Sequence, residues 1–183
     1  RDARMSDASE AALLSTVPTG LFLAGEWVDA AASATFDVRD PATGAVGFHF
    51  PWRATKLESV NASSPVVVGD EVFISEAYGP GSALLKLKPD GYDVGWQDEL
   101  RSRDKAMELH WNTAVAHEGH LYGSSGQHGG SAGLRCIQWS TGKVKWREPR
   151  LTRSSLLYAD GHFVCLSEDG ALRLLKATPE QYE

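Results

Sequence analysis

Ser64-Pro-Val-Val-Val-Gly-Asp-Glu-Val-Phe-Ile-Ser-Glu-Ala-Tyr-Gly-Pro-Gly-Ser-Ala-Leu-Leu-Lys-Leu-Lys-Pro-Asp-Gly-Tyr-Asp-Val-Gly-Trp96 decides the fold. Short runs rich in Val, Ile, Leu and aromatic residues alternate in it with Gly-Asp, Gly-Pro-Gly and Pro-Asp-Gly. Such spacing predicts four strands joined by three tight turns. Gly next to Asp at the junctions supplies the positive φ that two-residue hairpins need. The alternation Leu85-Lys86-Leu87-Lys88 suits a strand with one wetter face.

The pattern recurs twice further along the chain. A second copy runs through 112–117, the turn Glu118-Gly119, 120–124, a glycine-rich loop to Gly133, 134–139, the turn Thr141-Gly142 and 143–146. A third runs through 154–158, Asp160-Gly161, 162–166, Glu168-Asp169-Gly170 and 171–177, and stops before a fourth strand is complete. The matching second-strand positions Val72, Leu121 and Phe163 lie 49 and 42 residues apart, and Trp96 and Trp146 lie 50 apart. Four strands at a period of this size predict the blades of a β-propeller. A lone meander cannot bury both faces, so blades stack and share their apolar sides. The expected fold is therefore all-β: a partial β-propeller of about three four-stranded antiparallel blades, preceded by a β-hairpin segment. A β-sandwich is the structural alternative.

The stretches Pro65-Val-Val-Val-Gly-Asp-Glu-Val-Phe73, Thr141-Gly-Lys-Val-Lys-Trp146 and Asp160-Gly-His-Phe-Val-Cys-Leu-Ser-Glu-Asp-Gly-Ala-Leu172 resemble the PQQ-like, or quinoprotein-like, β-propeller repeat. The resemblance covers about residues 48–183. It implies a propeller in which dehydrogenases of the group hold pyrroloquinoline quinone with calcium on the axis, while many relatives keep the blades as a scaffold. About three blades fall short of the roughly four to eight of a closed ring. The resemblance therefore implies no quinone site and no cofactor here. It implies a non-catalytic scaffold or protein-binding module, part of a larger repeat protein, with a quinoprotein dehydrogenase fragment as an alternative. Three blades also leave stacking faces and strand edges uncovered, which predicts a protein partner, remaining blades, or self-association.

Upstream, the sequence predicts a hairpin: a strand over 21–23, a turn at Ala24-Gly25, a strand over 26–28, a small-residue loop, then 35–38 and a turn at Pro41 and Gly44. Leu23-Ala-Gly-Glu-Trp27 and Asp40-Pro-Ala-Thr-Gly-Ala-Val46 resemble the N-terminus of an aldehyde dehydrogenase of the succinate-semialdehyde type. That resemblance gives a second alternative, a fragment of an NAD(P)-dependent enzyme. The family's catalytic parts have no counterpart after Val46, and neither Cys136 nor Cys165 sits in the context of its nucleophile. Asp40 to Val46 also matches the close of a blade, so 21–50 could be a degenerate first blade. The expected organisation is a flexible leader over 1–16, this segment over 17–46 and blades over 47–183.

Composition bounds the function. The chain has 183 residues, 42% apolar and 23% charged, with six Trp, five Tyr and six Phe, so a packed core rather than disorder is expected. A net charge of −6 without a basic cluster argues against a nucleic-acid partner. No apolar run approaches the roughly 20 residues of a bilayer-spanning helix. Residues 5–16 lack the apolar core of a signal peptide, so the chain as written would remain in the cytoplasm, although propeller relatives are often periplasmic.

Several residues invite chemistry. His117-Glu118-Gly119-His120 places imidazoles three apart across a strand turn rather than four apart on a helix, which predicts solvated turn histidines and no metal site. Gly123-Ser-Ser-Gly126 to Gly130 precedes a strand and not a helix, so a flexible loop is expected in place of a phosphate cradle. Ser154, Ser155, Asp160 and His162 carry the side chains of a serine triad but fall on one hairpin, in the wrong order. Cys136 and Cys165 are expected as buried free thiols, with a disulfide left open. Trp96, Trp139 and Trp146 are expected to pack blades, each with one N–H to satisfy. Residues 97–108, with four acids and three bases, read as a solvated connection with room for a short helix. Asn61-Ala62-Ser63 matches a glycosylation acceptor pattern by chance. No catalytic, cofactor-binding or metal-binding residue is assigned.

Overall fold

A computed structural model describes residues 21–23, 26–28, 48–53, 61–89, 91–128 and 130–183. The chain divides into two compact units, Arg1–Ala45 and Val46–Glu183. In the first, β1 (Leu21–Leu23) pairs antiparallel with β2 (Glu26–Val28), as the hairpin reading requires. The expected strand over 35–38, the turn at Pro41 and Gly44 and the leader over 1–16 lie outside the described residues.

The second unit consists of three successive antiparallel meanders. The first comprises β3 (Val66–Val68), β4 (Glu71–Glu76), β5 (Gly81–Lys88) and β6 (Gly91–Gln97). β7 (Val115–His117), β8 (His120–Ser125), β9 (Gly133–Gln138) and β10 (Val144–Glu148) make the second. β11 (Ser154–Ala159), β12 (His162–Ser167) and β13 (Leu172–Lys176) make the third. Strands are ordered as in sequence within each sheet. The turns carry the expected chemistry: Glu118 and Asp160 both have φ of 45°, followed by Gly119 at 73° and Gly161 at 74°.

The second sheet uses one face toward the preceding blade and the other toward the following one. Val66, Phe73, Leu84 and Trp96 of the first blade pack on Ala116, Leu121, Ile137 and Val144 of the second. On the reverse side of that second sheet, Val115, Tyr122, Cys136 and Trp146 meet Leu156, Phe163, Cys165 and Leu175 of the third. A sandwich needs two sheets with one shared core. Three sheets with two cores between them form a partial propeller, and the sandwich alternative falls.

The fourth-strand tryptophans tie consecutive blades. Trp96 Nε1 donates to the carbonyl of Trp139 at 2.8 Å, and Trp146 Nε1 donates to that of Thr178 at 3.0 Å. Trp139 in turn donates its indole N–H back to the Glu71 carboxylate at 2.6 Å. Gly142, at φ 69°, allows the first of these contacts: a Cβ there would lie 2.7 Å from the Trp96 ring.

The connection after β6 corrects the solvated reading of 97–108. It has no helix, and Lys105, Ala106, Met107, Leu109 and His110 are buried. Its backbone polar groups are satisfied by side chains of the blades, which removes the penalty of burying them. Ser82 Oγ donates to the Met107 carbonyl, Ser75 Oγ accepts from Leu109 N at 3.0 Å, and Asp98 accepts from Ala106 N at 2.9 Å. Gly123 is a buried strand residue rather than part of a flexible loop. A Cβ on it would lie 2.9 Å from Met107 Sδ and 3.0 Å from Leu109, so glycine lets the connection lie against β8.

Gly142→Ala should lose about 2–4 kcal/mol, from the left-handed backbone and the overlap with Trp96. Gly161→Ala has a similar φ but open space around it, and should lose only about 1–2 kcal/mol. Urea unfolding of both variants reads the difference, and equal losses would remove Trp96 from the account.

Candidate functional site

The described residues bring one group of polar and aromatic side chains together at the junction of the second and third blades. Trp111 and Asn112 end the connection that leads into β7, Arg153 and Ser154 open β11, and Glu168 follows β12. With Leu166 they line a cleft of about 220 Å³.

Arg153 organises the cleft. Its Nε and Nη2 both donate to Glu168 Oε2, at 2.8 and 2.7 Å. Nη1 donates to the Gln127 carbonyl at 3.1 Å and faces His110 Nδ1 at 3.2 Å. The guanidinium carbon stands 4.0 Å from the centre of the Trp111 ring, a cation–π arrangement. Trp111 nevertheless leaves 62% of its surface exposed. The indole thus lies against the guanidinium on one side and is open to solvent on the other.

His110 is fully engaged. A guanidinium can only donate, so Nδ1 accepts from Arg153 and the ring proton sits on Nε2, where it donates to Tyr78 Oη at 2.8 Å. Burial first, and the Arg153 charge second, hold its pKa below the usual histidine value. With both nitrogens committed, this imidazole is not placed to take a proton from Ser154. That serine is buried, and its hydroxyl donates to the Thr152 carbonyl at 2.9 Å.

Asn112 has an unpaired hydrogen-bond acceptor. Its Nδ2 donates to the Ser124 carbonyl at 2.9 Å, while Oδ1 is buried without a partner. Asn112 is 7% exposed and lines the cleft. An unpaired buried acceptor costs about 1–3 kcal/mol, which a ligand N–H would recover.

The residues singled out from sequence are dispersed. His117 stacks on Tyr158 with ring centres 4.2 Å apart, whereas His120 Nδ1 turns to the Glu118 carbonyl at 2.9 Å. His117 is thus partly buried rather than solvated. Among the described residues no group of three or more His, Cys, Asp or Glu converges as metal ligands. Ser154 pairs with Ser167 at one end of the β11–β12 hairpin, and His162 pairs with Ala159 at the other, so the triad residues do not meet. The glycine-rich segment leads into strand β9. Cys136 and Cys165 are free and buried, and burial pushes the Cys136 thiol up to about 11. Asn61 donates from Nδ2 to the Trp52 carbonyl at 2.9 Å. Sequence reading passed over Leu109-His-Trp-Asn112 and Arg153. An aromatic residue beside His and Asn just before a blade was the available signal.

No family model and no curated protein matches the chain, so the aldehyde-dehydrogenase resemblance of residues 17–46 finds no support there. Among solved structures, the chain is similar to a europium-containing methanol dehydrogenase, at 13% identity over 71% of this chain with a TM-score of 0.49. It spans 26% of that protein's length. A computationally designed protein, Ika4, matches at 9% identity over 69% of this chain and 96% of its own, with a TM-score of 0.35. The stacking of the three meanders, not these likenesses, defines the fold class. No helix among the described residues is long and apolar enough to cross a membrane.

His110 gives a pH signature. Because the fold favours its neutral form, the stability it contributes is complete above the ordinary pKa near 6.5 and is lost as pH falls below that value toward the lowered folded pKa. Buried Glu76 and half-buried Asp98 and Glu108 have raised pKa values and act with the opposite sign, so the comparison with a variant isolates the histidine. Between pH 7.5 and 5.5, denaturant midpoints of His110→Gln should fall less than those of the native chain. Parallel profiles would contradict the arrangement.

Proposed function

We propose that the chain is a non-catalytic binding module in which propeller blades serve as a scaffold and the Trp111–Arg153 cleft receives an extended segment of a protein partner. The observation that carries this reading is the buried, unpartnered Oδ1 of Asn112 in a cleft that exposed Trp111 also lines. A backbone amide supplies the missing donor. An apolar side chain two residues along fits between Trp111 and Leu166, which is 52% exposed. The Arg153–Glu168 pair fixes the indole in advance, so little side-chain freedom is lost on binding. His110 and Ser154, the two residues a hydrolytic reading would use, are tied to partners that hold the cleft's shape.

Binding should depend on the indole and on the amide acceptor separately. A random heptapeptide library displayed on phage and selected on the full chain should return sequences that share an apolar anchor. Synthetic versions should bind at least tenfold more weakly to Trp111→Ala, a loss usual for an interface aromatic. N-methylation of one peptide amide should reproduce the loss seen with Asn112→Leu. Selected peptides that lack a common anchor, or that bind Trp111→Ala unchanged, would overturn the proposal.

A further inference from the structure

Val72, Ile74, Leu85 and Tyr92 lie on the face of the first blade opposite to Phe73, which packs on the second blade. A short aromatic segment ahead of the blade lies against part of that face. Phe48 and Phe50 meet Tyr92 with ring centres 5.1 and 5.3 Å away, and Phe50 stacks on Trp52 at 5.7 Å. Asn61 Nδ2 donates to the Trp52 carbonyl at 2.9 Å, which fixes the backbone that carries the indole.

A recess of about 320 Å³ lies between this segment and the sheet. Phe50, Trp52, Pro65, Ile74 and Leu85 give it an apolar lining, and the exposed residues Asn61 and Pro65 open it to solvent. An apolar cavity of about 150 Å³ is enough for benzene. The space here admits a molecule of two fused rings.

The polar atoms of the lining define what such a molecule must carry. Ser75 Oγ donates to the Met107 carbonyl at 3.1 Å and accepts from Leu109 N at 3.0 Å, and Ser63 Oγ donates to the Ser64 carbonyl at 3.4 Å. These hydroxyls are committed within the protein. Trp52 Nε1, by contrast, is buried with no hydrogen-bond partner among the described residues. An indole nitrogen can only donate, so the group it lacks is an acceptor. A resident water would need about two to four polar partners, and the recess is mostly apolar. No Asp, Glu, Lys, Arg or His is among the described lining residues, so an ionised ligand would enter without a counter-charge.

We infer that this recess is a second binding site, for an uncharged two-ring molecule bearing one carbonyl oxygen. The oxygen accepts from Trp52 Nε1, and the rings lie against Ile74 and Leu85. The Phe50 stack and the Asn61 bond hold the indole in place before the ligand arrives, which limits the freedom lost on binding. The recess shares no residue with the Trp111–Arg153 cleft, so peptide binding there is scored separately.

The test uses α-tetralone, a two-ring ketone, and tetralin, in which a methylene replaces the carbonyl. Titrated into the indole-labelled full chain and followed by NMR, α-tetralone should saturate and move the Trp52 indole N–H resonance more than that of Trp111. It should also show nuclear Overhauser contacts to the Ile74 and Leu85 methyl groups. Tetralin should bind about three- to tenfold more weakly, the usual net worth of one neutral hydrogen bond. Trp52→Phe keeps an aromatic ring, removes the donor, and should bind the two compounds equally. If circular dichroism shows that this variant loses its strands, the Overhauser contacts and the affinity ratio of the native chain decide. No saturation, equal affinity of the native chain for both compounds, contacts to Trp111 in place of Trp52, or a ketone preference retained by Trp52→Phe would each overturn the inference.

Discussion

The stack depends on the indole N–H of each fourth-strand tryptophan reaching the backbone of the next blade. Trp96 and Trp146 make the same bond, to Trp139 and Thr178, across two different interfaces. Apolar faces alone would let meanders slide on one another, because the hydrophobic effect is non-directional. A directional bond from a large ring fixes the offset. The turn glycine at 142 then follows from geometry, since the ring occupies the space a side chain would need.

Once the offset is fixed, the connection between the first and second blades is trapped. It enters the interface at Lys105 and leaves at Trp111, and its carbonyls and amides are met by hydroxyls at the strand ends. Arg135 adds two bonds, to the carbonyls of Lys105 at 2.8 Å and Ala106 at 3.2 Å. That anchoring delivers His110, Trp111 and Asn112 to the start of the third blade. The cleft is therefore a consequence of blade stacking. Arg153, opening β11, finds His110 and Trp111 already in place.

Strands and turns were legible because their signals are local. Asp160-Gly161 and Glu118-Gly119 announce positive φ, and apolar runs between such turns leave little freedom in register. The period of the tryptophans gave the stacking. Two things were not legible. Residues 97–108 look solvated by composition, yet Lys105 is buried and Asp98 half-buried, each with a backbone partner: Lys105 Nζ donates to the Glu99 carbonyl, and Asp98 accepts from Ser82 N at 2.7 Å. The cleft was equally hidden, since His110 and Arg153 are 43 residues apart and meet only through two interfaces. Segments 117–120 and 154–162, read from their spacing as hairpin parts, form hairpins for the same local reason.

Hydrogen exchange of the indole N–H groups tests this account most directly, read by NMR on indole-labelled protein. Trp96 and Trp146 should exchange slowly, at rates near those of backbone amides in β4 and β8, while Trp111 should exchange at the rate of a solvent-exposed indole. Trp96 exchanging as fast as Trp111 would show that no directional bond joins the first two blades, and would contradict the stacked arrangement on which the cleft rests.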